Sequence, residues 1–96
     1  MTERSAQDPD EVPSALQFPT DFPIKIMGLN VLDFEPQIVA LVRRHAPDLD
    51  DTLVEVRQSR AGKYLSLTVT IRAQSRAQLD AIYLELTAHP LVKVVL

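Results

Sequence analysis

The sequence predicts an α+β domain in which two helices cover one face of a four-stranded antiparallel sheet. Three observations support this prediction. Two segments repeat apolar residues at helical spacing, four segments alternate apolar and polar residues as strands do, and the six follow one another in the order β-α-β-β-α-β. The chain has 96 residues, of which 46% are hydrophobic, and this length and composition fit one small domain with a single core.

Residues 1–22 precede this pattern and are predicted to form a disordered or loosely packed tail. The segment contains Pro9, Pro13 and Pro19 and five acidic residues against a single arginine, with no helical or strand periodicity. The regular domain is therefore predicted to span residues 23–96. The whole chain has a net charge of −3, of which residues 1–22 contribute −4 and residues 23–96 contribute +1, so the domain is nearly neutral. Nucleic acid and anionic membranes are not expected as its partners.

The first strand and the first helix follow directly after the tail. Alternating isoleucines predict a strand over residues 23–28 that ends at Gly28. Asp33 is predicted to cap a helix over residues 34–45, which Pro47 ends. Residues at helical spacing predict the buried stripe of this helix: Phe34, Ile38, Leu41, Val42 and His45.

Two strands joined by a short hairpin connection are predicted next. Residues 53–59 form the first of them, residues 60–63 contain a glycine and form the connection, and residues 64–74 show the clearest alternation in the chain. On this long strand the residues predicted to face the core are Leu65, Leu67, Val69, Ile71 and Ala73. Their polar neighbours predict a second face that is open to solvent.

A second helix and a last strand complete the domain. Ser75 and Gln78 match a capping box at the start of a helix over residues 76–88. Residues 91–96 form the last strand, with the residues predicted to face the core being Val92, Val94 and Leu96. With right-handed crossovers and a central hairpin, this order of elements gives the ferredoxin-like βαββαβ sandwich with strand order 4-1-3-2.

The reactive side chains argue against several classes of function. With no cysteine in the chain, disulfides, thiolate zinc sites, iron–sulfur centres and cysteine nucleophiles are excluded, and neither a metal site nor a cofactor is predicted. His45 is expected to pack and cap the end of the first helix, and His89 lies in a turn before Pro90, so neither predicts a catalytic base. We therefore predict that the protein is not an enzyme.

The apolar runs of the sequence are short, and the first residues are polar and acidic. This pattern predicts neither a membrane span nor a signal peptide, and hence a cytoplasmic protein. The predicted open face of the sheet offers only Tyr64 for stacking on bases, so RNA binding is not expected.

One half of the predicted open face is more apolar than the other. Met27 on the first strand is expected to lie beside Leu91 and Val95 on the last strand, which is an edge strand. This patch, together with the unpaired backbone of the edge, predicts a homodimer. Scattered apolar residues on an open sheet are equally well explained as ordinary surface.

Four stretches of the sequence resemble the YbeD-like family of small bacterial proteins of unknown function. The stretches are Phe18-Pro19-Thr20-Asp21-Phe22-Pro23-Ile24-Lys25-Ile26-Met27-Gly28, Val42-Arg43-Arg44-His45-Ala46-Pro47, Gly62-Lys63-Tyr64-Leu65-Ser66-Leu67-Thr68-Val69-Thr70-Ile71 and His89-Pro90-Leu91-Val92-Lys93-Val94-Val95-Leu96. The resemblance implies a fold similar to the ACT-type regulatory domains, and it brings with it a family label of lipoate-related regulator. ACT-type domains bind effectors through the loop after the first strand, which implies a ligand site at Gly28, Leu29 and Asn30.

Two hypotheses for the function follow. The first is a non-enzymatic regulatory or ligand-sensing domain with a small-molecule effector. The alternative is an adaptor that binds a protein partner through its edge strand and its N-terminal tail.

Overall fold

The computed structural model describes residues 16–96. The elements, numbered in chain order, are β1 Thr20–Leu29, α1 Phe34–His45, a 3₁₀ turn Asp51–Leu53, β2 Val54–Gln58, β3 Tyr64–Ala73, α2 Arg76–Ala88 and β4 Val92–Val95. Both helices have the predicted bounds. The predicted tail boundary at residue 22 is wrong, because Thr20 to Phe22 already pair with β3 as part of β1. Residues 1–15 of the predicted tail lie outside the described residues.

The sheet has four antiparallel strands in the order β2-β3-β1-β4. Read from the other edge, this order is 4-1-3-2, so each strand has the neighbours that the sequence predicted. Both helices pack on one face, as expected for an α+β domain of this kind. Neither helix, at 12 and 13 residues, is long and apolar enough to cross a bilayer.

The core lies between that face and the two helices. Alternate residues of β1 and β3 are buried, beginning with Ile24 and Ile26, and the predicted core face of β3 is confirmed in full. Helix α1 contributes Phe34, Ile38, Leu41 and Val42, whereas α2 contributes Leu79, Ile82 and Leu86. No polar or charged residue of the described chain is buried, so packing of apolar side chains is the main source of stability.

The facing of β4 differs from the prediction. Val95 pairs with Ile26 and Val92 with Gly28, and the register shifts between Met27 and Gly28. Because of this bulge, Val92 and Val95 both point to the helices and Val94 points to the open face, where it is 43% exposed. Strict alternation had placed Val94 in the core and Val95 outside, and both assignments were wrong. Leu96, also predicted to face the core, is 70% exposed.

The two predicted helix caps have different outcomes. Ser75 caps α2 as predicted, because its Oγ accepts a 3.0 Å hydrogen bond from the backbone N–H of Gln78. The Gln78 side chain reaches back to the N–H of Gln74, 2.7 Å away. Asp33 stands at the predicted cap position of α1, but its side chain accepts no capping bond and its backbone is already helical. The capping contact predicted for Asp33 was therefore wrong.

Candidate functional site

A groove of about 600 Å³ lies between the outer flank of α1 and the beginning of β2. Its lining residues are Glu35, Pro36, Val39, Ala40 and Arg43 from α1, Asp51 from the 3₁₀ turn and Val54 from β2. A volume of this size is typical of small-molecule sites, and the lining combines four apolar residues with three charged ones, Glu35, Arg43 and Asp51. The groove is therefore the candidate site of this chain.

The groove exists because α1 does not extend over the edge of the sheet. Val54 and Val56 pair with Val69 and Leu67, which puts them on the helix-covered face. Nevertheless Val56 is 43% exposed. The core stripe of α1 packs on the central strands, so the flank that carries Val39 forms one wall of the groove and β2 forms the other.

A single guanidinium group stands at one end of the groove. Arg43 Nη2 forms an ion pair with the Asp51 carboxylate and also donates to the Leu49 carbonyl at 3.4 Å. Both side chains of the ion pair are accessible, 40% for Arg43 and 78% for Asp51. Exposed pairs of this kind contribute little net stability. The contact between Arg43 and Asp51 can therefore be opened at small cost.

The turn that carries Asp51 is held in place by its neighbour Asp50. Asp50 Oδ1 accepts hydrogen bonds from the Thr52 hydroxyl at 2.7 Å and from the Thr52 backbone N–H at 2.9 Å. These bonds lower the pKa of Asp50, the side-chain bond more than the backbone bond. Asp50 thus fixes the start of the 3₁₀ turn and, with it, the position of Asp51. No group of three metal-binding side chains is found within residues 16–96.

The loop residues that the resemblance implied as a ligand site lie elsewhere. Gly28 is buried inside β1, and a Cβ atom there would overlap the Leu91 carbonyl oxygen and the Phe34 ring. The space left by the missing side chain of Gly28 is therefore filled by Leu91 and Phe34 of the same chain. Asn30 donates from Nδ2 to the Gly62 carbonyl at 2.8 Å, which ties the loop to the β2–β3 hairpin. Together with Leu29, these residues lie outside the lining of the groove.

The three residues of the predicted contact patch do not share one surface. Met27 lies on the open face and is 36% exposed, as predicted. Leu91 and Val95 are partly buried and pack against the core, Val95 because of the bulge in the pairing of β1 with β4. The residue that stands beside Met27 is Val94.

The two histidines make contacts that join parts of the chain. His45 Nε2 lies 2.8 Å from the Glu85 carboxylate of α2, which Arg44 also contacts at 2.5 Å. The hydrogen bond from His45 is the largest cause that lowers the pKa of Glu85, with smaller contributions from Arg44. His89 Nδ1 accepts from the Leu91 backbone N–H at 3.1 Å, so its Nε2 carries the proton that faces Gln37 at 3.1 Å.

Sequence reasoning missed the groove, although a signal for it is present. Pro36, Val39, Ala40 and Arg43 recur at the spacing of one helix flank, next to the buried stripe that was assigned. The buried stripe alone explains the helical periodicity of α1, so the pattern gives no reason to assign a role to the second flank. Only the lateral position of α1 on the sheet reveals that the second flank faces an uncovered part of β2.

The whole described fold corresponds to a known family. A family model described as "Protein of unknown function (DUF493)" matches residues 13–96. The chain belongs to the DUF493 family. This membership confirms the resemblance to the YbeD-like proteins that the sequence indicated.

Bacterial relatives of this DUF493 protein are similar over nearly their full length. A UPF0250 protein of Nitrosomonas europaea is 52% identical over 83 residues, which are 86% of this chain and 95% of that protein. A UPF0250 protein of a Janthinobacterium species is 51% identical over 92 residues, 96% of this chain and 99% of that protein. One from Paraburkholderia phytofirmans is 54% identical over 83 residues, 86% of this chain and 93% of that protein.

Proposed function

We propose that this DUF493 protein is a non-enzymatic regulatory domain of the cytoplasm that binds an amphipathic carboxylic acid, of which lipoate is the type, in the groove between α1 and β2. The observation that carries the proposal is a groove of about 600 Å³ that combines apolar surface with one accessible guanidinium at its end. The order of the elements also supports a ferredoxin-like, ACT-like fold, on which effector-binding domains are built.

The lining of the groove matches the two ends of such an acid. Val39, Ala40 and Val54 offer apolar surface for a hydrocarbon body. Arg43 offers a planar pair of donors for the carboxylate, which takes the place of Asp51. A charge-assisted pair of this geometry is stronger than a neutral hydrogen bond and fixes which way the acid lies.

Glu35 at the far end of the groove sets the length and orientation of the ligand. Glu35 and Arg43 are separated by eight positions of α1, which is about 12 Å along the helix axis. The ammonium and carboxylate groups of an α-amino acid are much too close together to engage both residues. A carboxylate at the Glu35 end is repelled, so an elongated acid with a single charged end fits best.

A thermal denaturation screen of the purified protein tests the proposal. Lipoate and octanoate are compared with octanamide, which has the same apolar body as octanoate without the charge, and with a set of amino acids. At a hundredfold excess over its dissociation constant, a bound ligand adds about 2.7 kcal/mol to the free energy of unfolding. We expect the two acids to raise the melting temperature and octanamide to have a much smaller effect.

Three variants locate the binding. Ala40→Phe fills the groove and Arg43→Gln removes the guanidinium, so each is expected to abolish the rise. Leu84→Ala, at an exposed position of α2, is the matched control and keeps the rise. An equal rise in Arg43→Gln contradicts the proposed site. If no compound raises the melting temperature of the wild type, the proposal fails and the adaptor hypothesis remains.

A further inference from the structure

We propose that two copies of this chain associate through β2, in antiparallel register around a two-fold axis at Val56, to form one continuous eight-stranded sheet. Val54 belongs both to β2 and to the groove lining, whereas the other residues of β2 lie outside that lining, and the proposal does not depend on what the groove binds. The sequence had predicted association through β4, whereas this proposal places it on the opposite edge of the sheet.

The backbone of β2 is available for a further strand. Strand β2 lies at an edge of the sheet. The Ser59 N–H donates to the Tyr64 carbonyl at 2.9 Å, so these two residues form a hydrogen-bonded pair. Hydrogen-bonded and non-hydrogen-bonded pairs alternate along an antiparallel ladder. The backbone groups of Arg57 and Glu55 therefore also bond to β3. The backbone groups of Val56 and Gln58 therefore point outward. No other group within residues 16–96 bonds to them.

The side chains of β2 are complementary to themselves in one register. When Val56 stands opposite its own copy, Glu55 of each chain stands opposite Arg57 of the other, on the open face. Opposite charges in directly facing positions stabilise a strand pair. On the helix-covered side the pairing buries Val56, which is 43% exposed in the single chain.

The neighbouring registers are disfavoured by charge. A two-fold axis perpendicular to the sheet keeps each residue on its own face of the sheet. The two registers closest to the proposed one therefore have their axis at Glu55 or at Arg57. The first register places two glutamates directly opposite each other, and the second places two arginines opposite each other. Like charges in these positions are destabilising, so only the register at Val56 satisfies both charges.

The other edge of the sheet is built to resist pairing. Strand β4 has only four residues, and its pairing with β1 contains a bulge. Lys93, in the middle of β4, is exposed. A short strand, a bulge and an exposed lysine are features by which edge strands avoid association. Strand β2, in contrast, has five residues in regular pairing with β3, and these include one acidic and one basic side chain.

Sedimentation equilibrium of the full chain and of charge variants tests the pairing. We expect the wild type to dimerise at high micromolar concentration. Arg57→Glu and Glu55→Arg each place like charges opposite each other, so each is expected to weaken the dimer by about tenfold or more. The double variant, in which both charges are exchanged, is expected to regain the wild-type dissociation constant.

Mixing the two single variants gives a positive result that no loss of folding can imitate. A chain with Arg57→Glu and a chain with Glu55→Arg are complementary to each other, so their equimolar mixture is expected to form a heterodimer. Lys93→Glu on β4 is the control and leaves the association unchanged. A monomeric wild type, a double variant that stays monomeric, or a dimer that Lys93→Glu dissociates overturns the proposal.

Discussion

Gly28 is the residue at which three parts of the chain meet. It lies inside β1, and the place of its missing side chain is taken by the ring of Phe34 from α1 and by the backbone of Leu91 from the approach to β4. Leu91 is held in turn by the hydrogen bond from its N–H to His89. A glycine is needed here for the packing of a helix and a strand on β1, with no requirement for an unusual backbone angle.

Gly28→Ala is expected to lower the free energy of unfolding by about 3 kcal/mol, at the upper end of what overpacking a core costs, because both obstacles are firmly placed. Gly62→Ala is the matched control. The nearest atom to a Cβ at Gly62 is 3.7 Å away, so the cost there is only the strain of its φ of 77°, about 1 kcal/mol. Urea denaturation of both variants measures the difference, and equal losses would contradict the close packing at Gly28.

Val94 and Val95 are adjacent residues with opposite environments. Val95 packs against the core and Val94 is exposed on the open face. Val95→Lys is therefore expected to cost about 2 kcal/mol or more, since it brings a charge toward the core. Val94→Lys stays within about 0.5 kcal/mol, as surface substitutions do. If chemical denaturation shows the reverse order, β4 alternates without the bulge.

Among the elements, the two helices are joined at one end by a small charged cluster. Arg44 and His45 from the last turn of α1 both contact Glu85 of α2, and Gln78 donates to the His45 carbonyl at 2.8 Å. The basic residues lie where the negative end of the α1 dipole favours them. The cluster therefore links the end of α1 to α2.

The lowered pKa of Glu85 makes this junction sensitive to acid. Because the folded-state pKa lies below the ordinary value of 4.5, the carboxylate stabilises the fold above that pH and loses its contribution as the pH falls through the lowered pKa. Glu85→Gln is therefore expected to be less stable than the wild type at pH 7, with a gap that closes in acid. Urea denaturation from neutral to acid pH measures the free energy of unfolding of each variant. Leu84→Ala is the control, because it removes no titrating group and its difference in free energy from the wild type is expected to stay constant with pH. A gap for Glu85→Gln that is the same at all pH values would contradict the role of the charge.

The elements differ in how much of their structure the sequence predicts. Pro47 and Pro90 follow the two helices and Ser75 caps the second, and these local signals are sufficient to place both helices. The facing of β3 follows from its alternation. The bulge opposite Gly28 is a property of the pairing of two strands and leaves no mark in the alternation of β4.

The candidate site depended on information of a different kind. The flank of α1 that carries Val39 and Arg43 is visible in the sequence, but nothing local shows that it faces the edge of the sheet. The ligand loop implied by resemblance was placed at Gly28 because a glycine there suits a bound ligand as well as a packed helix. The packing of Phe34 and Leu91 decides between these two interpretations.

At the scale of the whole molecule, the open side of α1 and the outer edge of β2 form one region that the rest of the described chain leaves accessible. The groove supplies an apolar surface and Arg43, and the neighbouring strand supplies backbone donors and acceptors with paired charges. On the opposite side of the molecule, the edge strand β4 is short and has a bulge in its pairing with β1, and the space beside Gly28 is filled by Phe34 and Leu91. Binding and self-association are therefore both expected on the β2 side.

A ¹⁵N–¹H correlation spectrum of the full chain, recorded during a titration with lipoate, tests the proposed binding site in the groove, because it reports where the acid binds as well as whether it binds. We expect the amide signals of Val39, Ala40, Arg43 and Val54 to shift together along one saturating curve while those of Leu29 and Asn30 stay in place. Shifts centred on Leu29 and Asn30, or a spectrum that lipoate leaves unchanged, would contradict the proposed site.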